Sequence, residues 1–409
     1  MNKINNIYLI ILLSFLIKIF AIFYVGDERI MNEWSYIIHN YNFSGILGYN
    51  VVISEFDALP MYAKENDTVL PTAFMPPLYF FYIYILQSLS FEIFDLSKLL
   101  IFSQIILSSI SIFYLHKILI ELGNSKYSNI FTALYAFFPI NIYASTQVSS
   151  ITLQLFLLIF FLYFLIKIFK KPAIKNLIIF SIFSSLLILA RGEFIIFFIL
   201  TLCYLFIFFK FDFKSFLISI FITLFLISPY LYRNYKVFDE IVLTKSLGYN
   251  LLKGNYKEFK EEGNPGIIET DFKISSLGIK TDKYFEINLD NFYKEKALDY
   301  IKTNPLEFTK NYFRKIIAFL FFDINSTYPG YYNFIHIIPK LILSILSLFG
   351  LIEMFNKKGF TQFVALYYTF NVLFFSIFFI LPRYSLIILP IQIILSINGG
   401  KFLLRKINN

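Results

Sequence analysis

The chain has 409 residues, 58% of them hydrophobic and 21% aromatic, with only 15% charged and a formal net charge of +9. Mean hydropathy is +0.67, whereas soluble domains carry about 25% charged residues and rarely exceed about 50% apolar ones, so an ordinary soluble domain is excluded. The single cysteine, Cys203, lies inside an apolar run, and the three histidines (His39, His116, His336) are scattered, so there is no disulfide framework, no thiol metal site and no histidine cluster for a metal.

Lys3 precedes an apolar run from Ile7 to Val25 that is longer than the core of a secretory signal and lacks a small-residue cleavage site. It predicts an uncleaved first membrane span. The span leaves the bilayer in VGDERIMNEW (25–34), where Asp27 and Glu28 are adjacent and Arg29 and Glu33 follow. Further apolar segments lie near 78–93, 99–120, 129–147, 150–169, 176–190, 193–209, 214–232, 334–355, 361–381 and 384–398, most of them separated by Pro, Gly or charge. The fold class these predict is an all-α polytopic membrane protein with about 10–12 transmembrane helices.

Between 233 and 312 the character changes. Acidic and basic residues balance there, and no run of span length occurs. Asn264-Pro265-Gly266 marks a turn. Phe292, Ala297, Tyr300 and Ile301 follow a helical spacing up to an Asn304-Pro305 break, residues 313–322 read as amphipathic, and Tyr328-Pro329-Gly330 turns the chain towards the next span. Three parts are expected: a transmembrane catalytic module over 1–232, a small polar cap over 233–312 and a second transmembrane module over 313–409.

With the cap neutral, the +9 surplus sits in the short loops of the membrane part, where Lys and Arg report the cytoplasmic side. Lys117 and Lys126, then Lys167, Lys170, Lys171 and Lys175, then Lys210 and Lys214, then Lys357 and Lys358, and finally Lys401, Arg405 and Lys406 mark that side together with Lys3. The 26–76 loop, the cap and the turns at Ser149, Arg191 and Arg383 then share the outer face. One conflict stands: Pro76 outside and Lys117 inside require an odd number of crossings, and two apolar segments lie between them.

The outer face collects the unusual residues. Asp27, Glu28 and Glu33 follow the first span; PTAFMPPLYFF (71–81) closes the first loop; Arg191 and Glu193 interrupt an apolar stretch. Arg233-Asn234-Tyr235 leaves the span before the cap, and Arg383-Tyr384 opens the last span. Ionisable groups at membrane depth are costly and usually face a cavity or a partner. Arginines hold phosphate bidentately and a carboxylate takes a proton from an acceptor hydroxyl, so the set suits transfer from a lipid-linked phosphate donor. Each group also has a plain structural reading. Asp27 and Glu28 suit a solvated helix end, Arg191 and Glu193 an ion pair at a turn, Arg233 and Arg383 interfacial anchors, and Lys18 a snorkelling or paired side chain.

Taken in order, the motifs resemble the GT-C glycosyltransferase superfamily, more narrowly the bacterial branch with protein O-mannosyltransferases and the lipid A aminoarabinose transferase. The resemblance rests on GDERIMNEWSYIIHNYNFSGILGY, PTAFMPPLY, ALYAFFPINIYASTQVSSITL, LARGEF, SPYLYRNYKVF, SLGYNLLKGN, FYKEKALDYIKTNPLEF and LPRYSLIILP, which extend over most of the chain. It implies a GT-C fold with one extracytoplasmic cap, a polyprenyl-phosphate-linked sugar donor, a glycan, lipid or protein acceptor, and inverting transfer on the outer face of the cell membrane. Asp27 would be the general base or acceptor-positioning group and Glu28 its support. Glu33, Arg191, Glu193, Arg233, Asn234, Arg383 and Tyr384 fall at positions suited to substrate binding. No metal ligand set is evident, although a divalent metal is compatible with the family, and nothing points to nucleic acid.

Two departures matter. Ile151 stands in Ser150-Ile151-Thr152-Leu153 where relatives commonly carry an acid, and Phe74-Met75 stand where the aminoarabinose branch has Glu-Lys. A contact through those groups is not carried over, which argues against a lipid A acceptor. A transporter or flippase of lipid-linked glycans is the alternative from another class, with a glycan polymerase or ligase a third. No internal hydropathy repeat and a single large polar region on one face weigh against transport.

Overall fold

The computed structural model describes residues 3–26, 32–53, 58–90, 95–209, 211–323, 326 and 333–408. The first span is α1 (Lys3–Val25), whose backbone hydrogen bonds close within the helix as lipid demands. After it α2 (Asn32–Ser44) lies against the bundle, with Trp34 and Ile37 buried and the Trp34 ring 5.2 Å from that of Tyr79. A small antiparallel sheet follows, of β1 (Gly48–Ile53), β2 (Ala58–Met61) and β3 (Leu70–Pro71) in the order β2-β1-β3. The sequence reading placed no strands in this loop. The buried Asn40 side chain pins them to α2, donating to the Gly48 and Met61 carbonyls and accepting from the Ala63 N–H at 2.7 Å.

α3 (Leu78–Ser90) and α4 (Leu96–Glu121) are the two apolar segments behind the conflict over crossings. The 13 residues of α3 extend about 20 Å, short of a hydrocarbon core of about 30 Å. The Tyr79 and Tyr82 hydroxyls bond Gln104 and Ser103 near the start of α4, and the rings of Phe80 and Tyr84 meet Tyr41 of α2. α3 therefore lies beside the first turns of α4 on the side of the 26–76 loop. Of the two, only α4 has the length and composition of a membrane span.

α5 (Ser128–Ala136) and α6 (Pro139–Ser145) form one segment interrupted where Pro139 removes a backbone donor; the Asn141 side chain donates to the Tyr135 carbonyl across the break. Next come α7 (Ile151–Lys170), α8 (Ile174–Ala190), α9 (Phe194–Phe208) and α10 (Phe213–Phe238). α7 is the buried centre, with Leu155, Leu158, Leu162 and Leu165 inaccessible, whereas α10 turns Phe221 and Phe225 outward. A large apolar side chain facing out is expected where the solvent is lipid.

The polar stretch folds as α11 (Leu247–Asn255), α12 (Pro265–Asp271) and α13 (Phe285–Thr303), followed by the amphipathic α14 (Pro305–Leu320). α10 runs on to Phe238 and α14 begins at Pro305, so the compositional boundaries at 233 and 312 fall inside helices. The last part is α15 (Phe334–Phe355), α16 (Phe360–Phe375), α17 (Pro382–Ile387) and α18 (Leu389–Asn408). α15 and α18 approach closely at small residues: a Cβ on Gly350 would stand 2.1 Å from the Leu395 carbonyl oxygen, and one on Gly399 1.9 Å from that of Leu346.

Among the described residues five helices are long and apolar enough to cross a membrane, and four shorter apolar helices accompany them. The architecture is that of an all-α polytopic membrane protein. Several of the basic residues are drawn together by shared partners. Lys167 and Lys170 both pair with Glu121, Lys357 and Arg405 both pair with Glu353, and the Lys401 ammonium meets the Asn124 side chain. The turn Tyr328-Pro329-Gly330 lies outside the described residues.

Candidate functional site

The segment Pro71-Thr72-Ala73-Phe74 joins the first loop to the cap. Its backbone is held from three directions. The Thr72 N–H bonds the Leu47 carbonyl at 2.9 Å, the Lys245 N–H bonds the Ala73 carbonyl at 2.8 Å, and the Ala73 N–H bonds a Glu286 carboxylate oxygen at 2.7 Å, with the Thr72 hydroxyl on the other oxygen. Arg233, at the cap end of α10, donates to the Thr72 carbonyl (2.8 Å), the Leu47 carbonyl (2.9 Å) and the Asn234 side-chain oxygen (2.8 Å). Asn234 in turn donates to the Val242 carbonyl at 2.7 Å. The structure thus uses Arg233 and Asn234 to tie the first loop to the end of α10, with most of the guanidinium donors taken by protein oxygens.

Glu286 and Asp290 stand one turn apart on α13, facing that segment and α11. Burial pushes the Glu286 carboxyl up to about 7, against the lowering effect of its bonds to Thr72 and Ala73 and of the Arg233 charge. Asp290 is also raised by burial, offset mainly by the backbone N–H groups of Tyr249 and Gly248. The close approach requires Gly248, where a Cβ would fall 1.9 Å from the Asp290 carbonyl oxygen. Between the first loop and α11–α13 lies a cavity of about 300 Å³, lined by Glu33 and Tyr49 on the loop side and by Asp282, Glu286 and Asp290 on the cap side, with aromatic rings between them.

A second charged group adjoins it. The Glu33 carboxyl is raised by burial, while Arg383 and Lys253 pull it down. Lys253 is lowered by burial and by Arg383, while Glu262 and Glu33 oppose this. Two cations from α11 and α17 therefore share a region with one carboxylate from α2, and the Lys253 ammonium lies 4.4 Å from the Phe379 ring centre. Deeper, Arg191 pairs with Glu193 and its guanidinium carbon sits 4.8 Å from the Phe375 ring and 4.6 Å from the Tyr384 ring. Tyr384 lies within electrostatic reach of Arg191, Arg383 and Glu193. Glu33, Arg383, Tyr384, Arg191 and Glu193 thus form one connected series, to which Arg233 and Asn234 do not belong.

Asp27 and Glu28 lie outside the described residues. The chain on either side of them is placed: the Val25 carbonyl accepts a 2.5 Å bond from the Gln147 side chain, the backbone carbonyl of Gln147 accepts from the Gln104 side chain, and Glu33 lines the cavity. Reasoning from the sequence missed Lys253, Glu286 and Asp290. Lys253 sits inside the quoted SLGYNLLKGN. Glu286, Asp290 and Lys294 recur every four residues, a spacing that places them along one face of a helix. Among the described residues no three His, Cys, Asp or Glu side chains converge closely enough to hold a metal ion.

No protein-family model and no curated protein sequence matches the chain. Solved structures do. The archaeal oligosaccharyltransferase AglB from Archaeoglobus fulgidus, in complex with an inhibitory peptide and a dolichol-phosphate, superposes with a TM-score of 0.56 at 12% identity, covering 98% of this chain and 51% of that one. The apo form of the Archaeoglobus fulgidus oligosaccharyltransferase gives 0.56 at 14% identity over 99% and 51%, and the form tethered to an acceptor peptide containing the NVT sequon gives 0.55 at 14% over 100% and 50%. At these identities the likeness is one of fold, and it is the GT-C fold. The chain spans about half the length of the structures it matches.

Proposed function

We propose that this GT-C-fold membrane protein is a glycosyltransferase. It moves a sugar from a polyprenyl-phosphate-linked donor to a glycan, lipid or protein acceptor on the extracytoplasmic side, where the cap lies. The observation that carries the reading is the meeting of the Glu33–Lys253–Arg383 group with an acid-lined cavity at the cap end of a GT-C fold. The solved neighbours include one with a dolichol-phosphate and one with an acceptor peptide, which supports a lipid-linked donor and a separate acceptor here.

In this reading the acceptor hydroxyl attacks the anomeric carbon while Asp27 takes its proton and Glu28 orients Asp27. The bond from the anomeric carbon to the phosphate oxygen breaks, and polyprenyl phosphate leaves. Attack from the face opposite the leaving group inverts the anomeric centre. The negative charge that grows on the leaving phosphate is met by Lys253 and Arg383, two cations that repel each other until an anion joins them.

Replacing Asp27 by Asn tests the role directly. Transfer of labelled sugar in membranes should fall about 10²–10⁴-fold with insertion and expression unchanged. Undiminished transfer would overturn it.

A further inference from the structure

The cavity between the first loop and the cap has a makeup that the donor chemistry does not use. Its volume, about 300 Å³, stands at the lower end of the range for small-molecule sites. Tyr49, Phe74, Tyr249, Phe285 and Tyr293 line it. Phe74 and Tyr249 have ring centres 6.5 Å apart, and Tyr249 and Tyr293 5.7 Å, all tilted, so three of the rings make one continuous wall. Such a wall takes the C–H-bearing face of a sugar ring. The polar groups on the remaining walls are mainly the carboxylates Glu33, Glu269, Asp282 and Asp290; Glu286 also lines the cavity, with both its oxygens taken by Ala73 and Thr72. Lys245 also lines the cavity, and its charge is engaged by Glu240 at 2.9 Å.

We infer that this cavity is a saccharide subsite on the acceptor side, and that it selects a ring bearing a free amino group. The inference rests on the transferase reading above for the word acceptor alone; the binding itself needs no donor. Ionised carboxylates only accept hydrogen bonds, so they match hydroxyls and above all an ammonium group, with which the bond is charge-assisted. The same excess of negative charge turns away phosphorylated, sulfated or carboxylated sugars. The carboxylates do not converge as metal ligands do. Glu33 belongs both to this cavity and to the group with Lys253 and Arg383, so the cavity opens beside the cations. An anionic donor and a cationic acceptor would then lie on complementary sides of one carboxylate.

The test is calorimetric titration of the full-length protein in lipid nanodiscs with a glucosamine tetramer and with its fully N-acetylated counterpart, at a pH where the amines are charged. The glucosamine tetramer should bind saturably and the acetylated one about ten-fold more weakly, the worth of one charge-assisted hydrogen bond. The double variant Glu269→Gln, Asp282→Asn should weaken the glucosamine tetramer by at least that factor and leave the acetylated one unchanged. Phe74→Ala should weaken both. Equal affinity for the two tetramers would overturn the selection for an amine. Absence of saturable binding to either, or binding that both variants leave intact, would overturn the site. Asp27 takes no part in this titration, so loss of the transferase reading and loss of the subsite are separate results.

Discussion

Arg233 and Glu286 show how far a residue's type falls short of its role. In the sequence Arg233 has the chemistry of a phosphate clamp. In the fold its partners are the carbonyls of Leu47 and Thr72, far away in the chain, and Glu286 grips the same segment through Thr72 and Ala73. Because the folded protein holds the Glu286 carboxyl near 7 rather than 4.5, it binds more protons there than the unfolded chain does. Stability contributed by this group therefore falls as pH rises from about 4.5 to about 7, by up to ~3 kcal/mol at about 1.4 kcal/mol per pKa unit. The Arg233 charge, the Thr72 and Ala73 donors and the neighbouring Asp290 all act on the same carboxyl. Glu286→Gln should remove that part of the pH dependence, read as the unfolding midpoint of the purified protein between pH 5 and 8. Parallel profiles for the two proteins would show that Glu286 is not its source.

At the scale of elements, α11 is the joint of the outer end. It packs on α13 through Gly248 and on the 377–379 segment through Gly254, where a Cβ would stand 2.2 Å from the Phe378 carbonyl oxygen. Lys315 of α14 locks this arrangement: its buried ammonium donates to Phe378 O (2.7 Å), Asn255 Oδ1 (2.8 Å), Gly254 O (3.2 Å) and Ile377 O (3.3 Å). In the sequence Lys315 lies in the amphipathic 313–322 stretch, and nothing local marks its role. Lys315→Met keeps the length of the side chain and removes the donor from Phe378 O, Asn255 Oδ1 and Gly254 O, while Ile377 O keeps its bond from the Asn255 amide; the loss should cost about 3 kcal/mol. Limited proteolysis should then cut the 256–264 and 376–381 segments faster than in the parent protein. An unchanged digestion rate would refute the locking role. Lys253 and Arg383, carried on the two elements joined here, should then lose their mutual placement, and transfer should fall as well.

At the scale of the molecule, basic residues are drawn together by shared partners, Lys167 and Lys170 at Glu121 and Lys357 and Arg405 at Glu353. The sidedness of the two ends is open to direct measurement. In a Cys203→Ser background, Lys280→Cys on the cap should react with an impermeant maleimide in intact cells, and Lys171→Cys only after permeabilisation. The reverse pattern would invert the orientation and place the proposed chemistry on the cytoplasmic side.

The sequence by itself determined the solvent and the outline: apolar runs long enough for lipid, a neutral polar interlude, a set of short basic loops, and a motif order that matches the GT-C fold. These are legible because hydropathy and charge act locally, over the length of one helix. Tertiary structure decided what no local signal carries. It laid α3 against the first turns of α4, built a three-stranded sheet in the first loop, spent Arg233 on backbone carbonyls and brought Glu33, Lys253 and Arg383 together from three separate elements. Those outcomes depend on which distant carbonyl or carboxylate a charged group meets, and that is set only when the helices have packed.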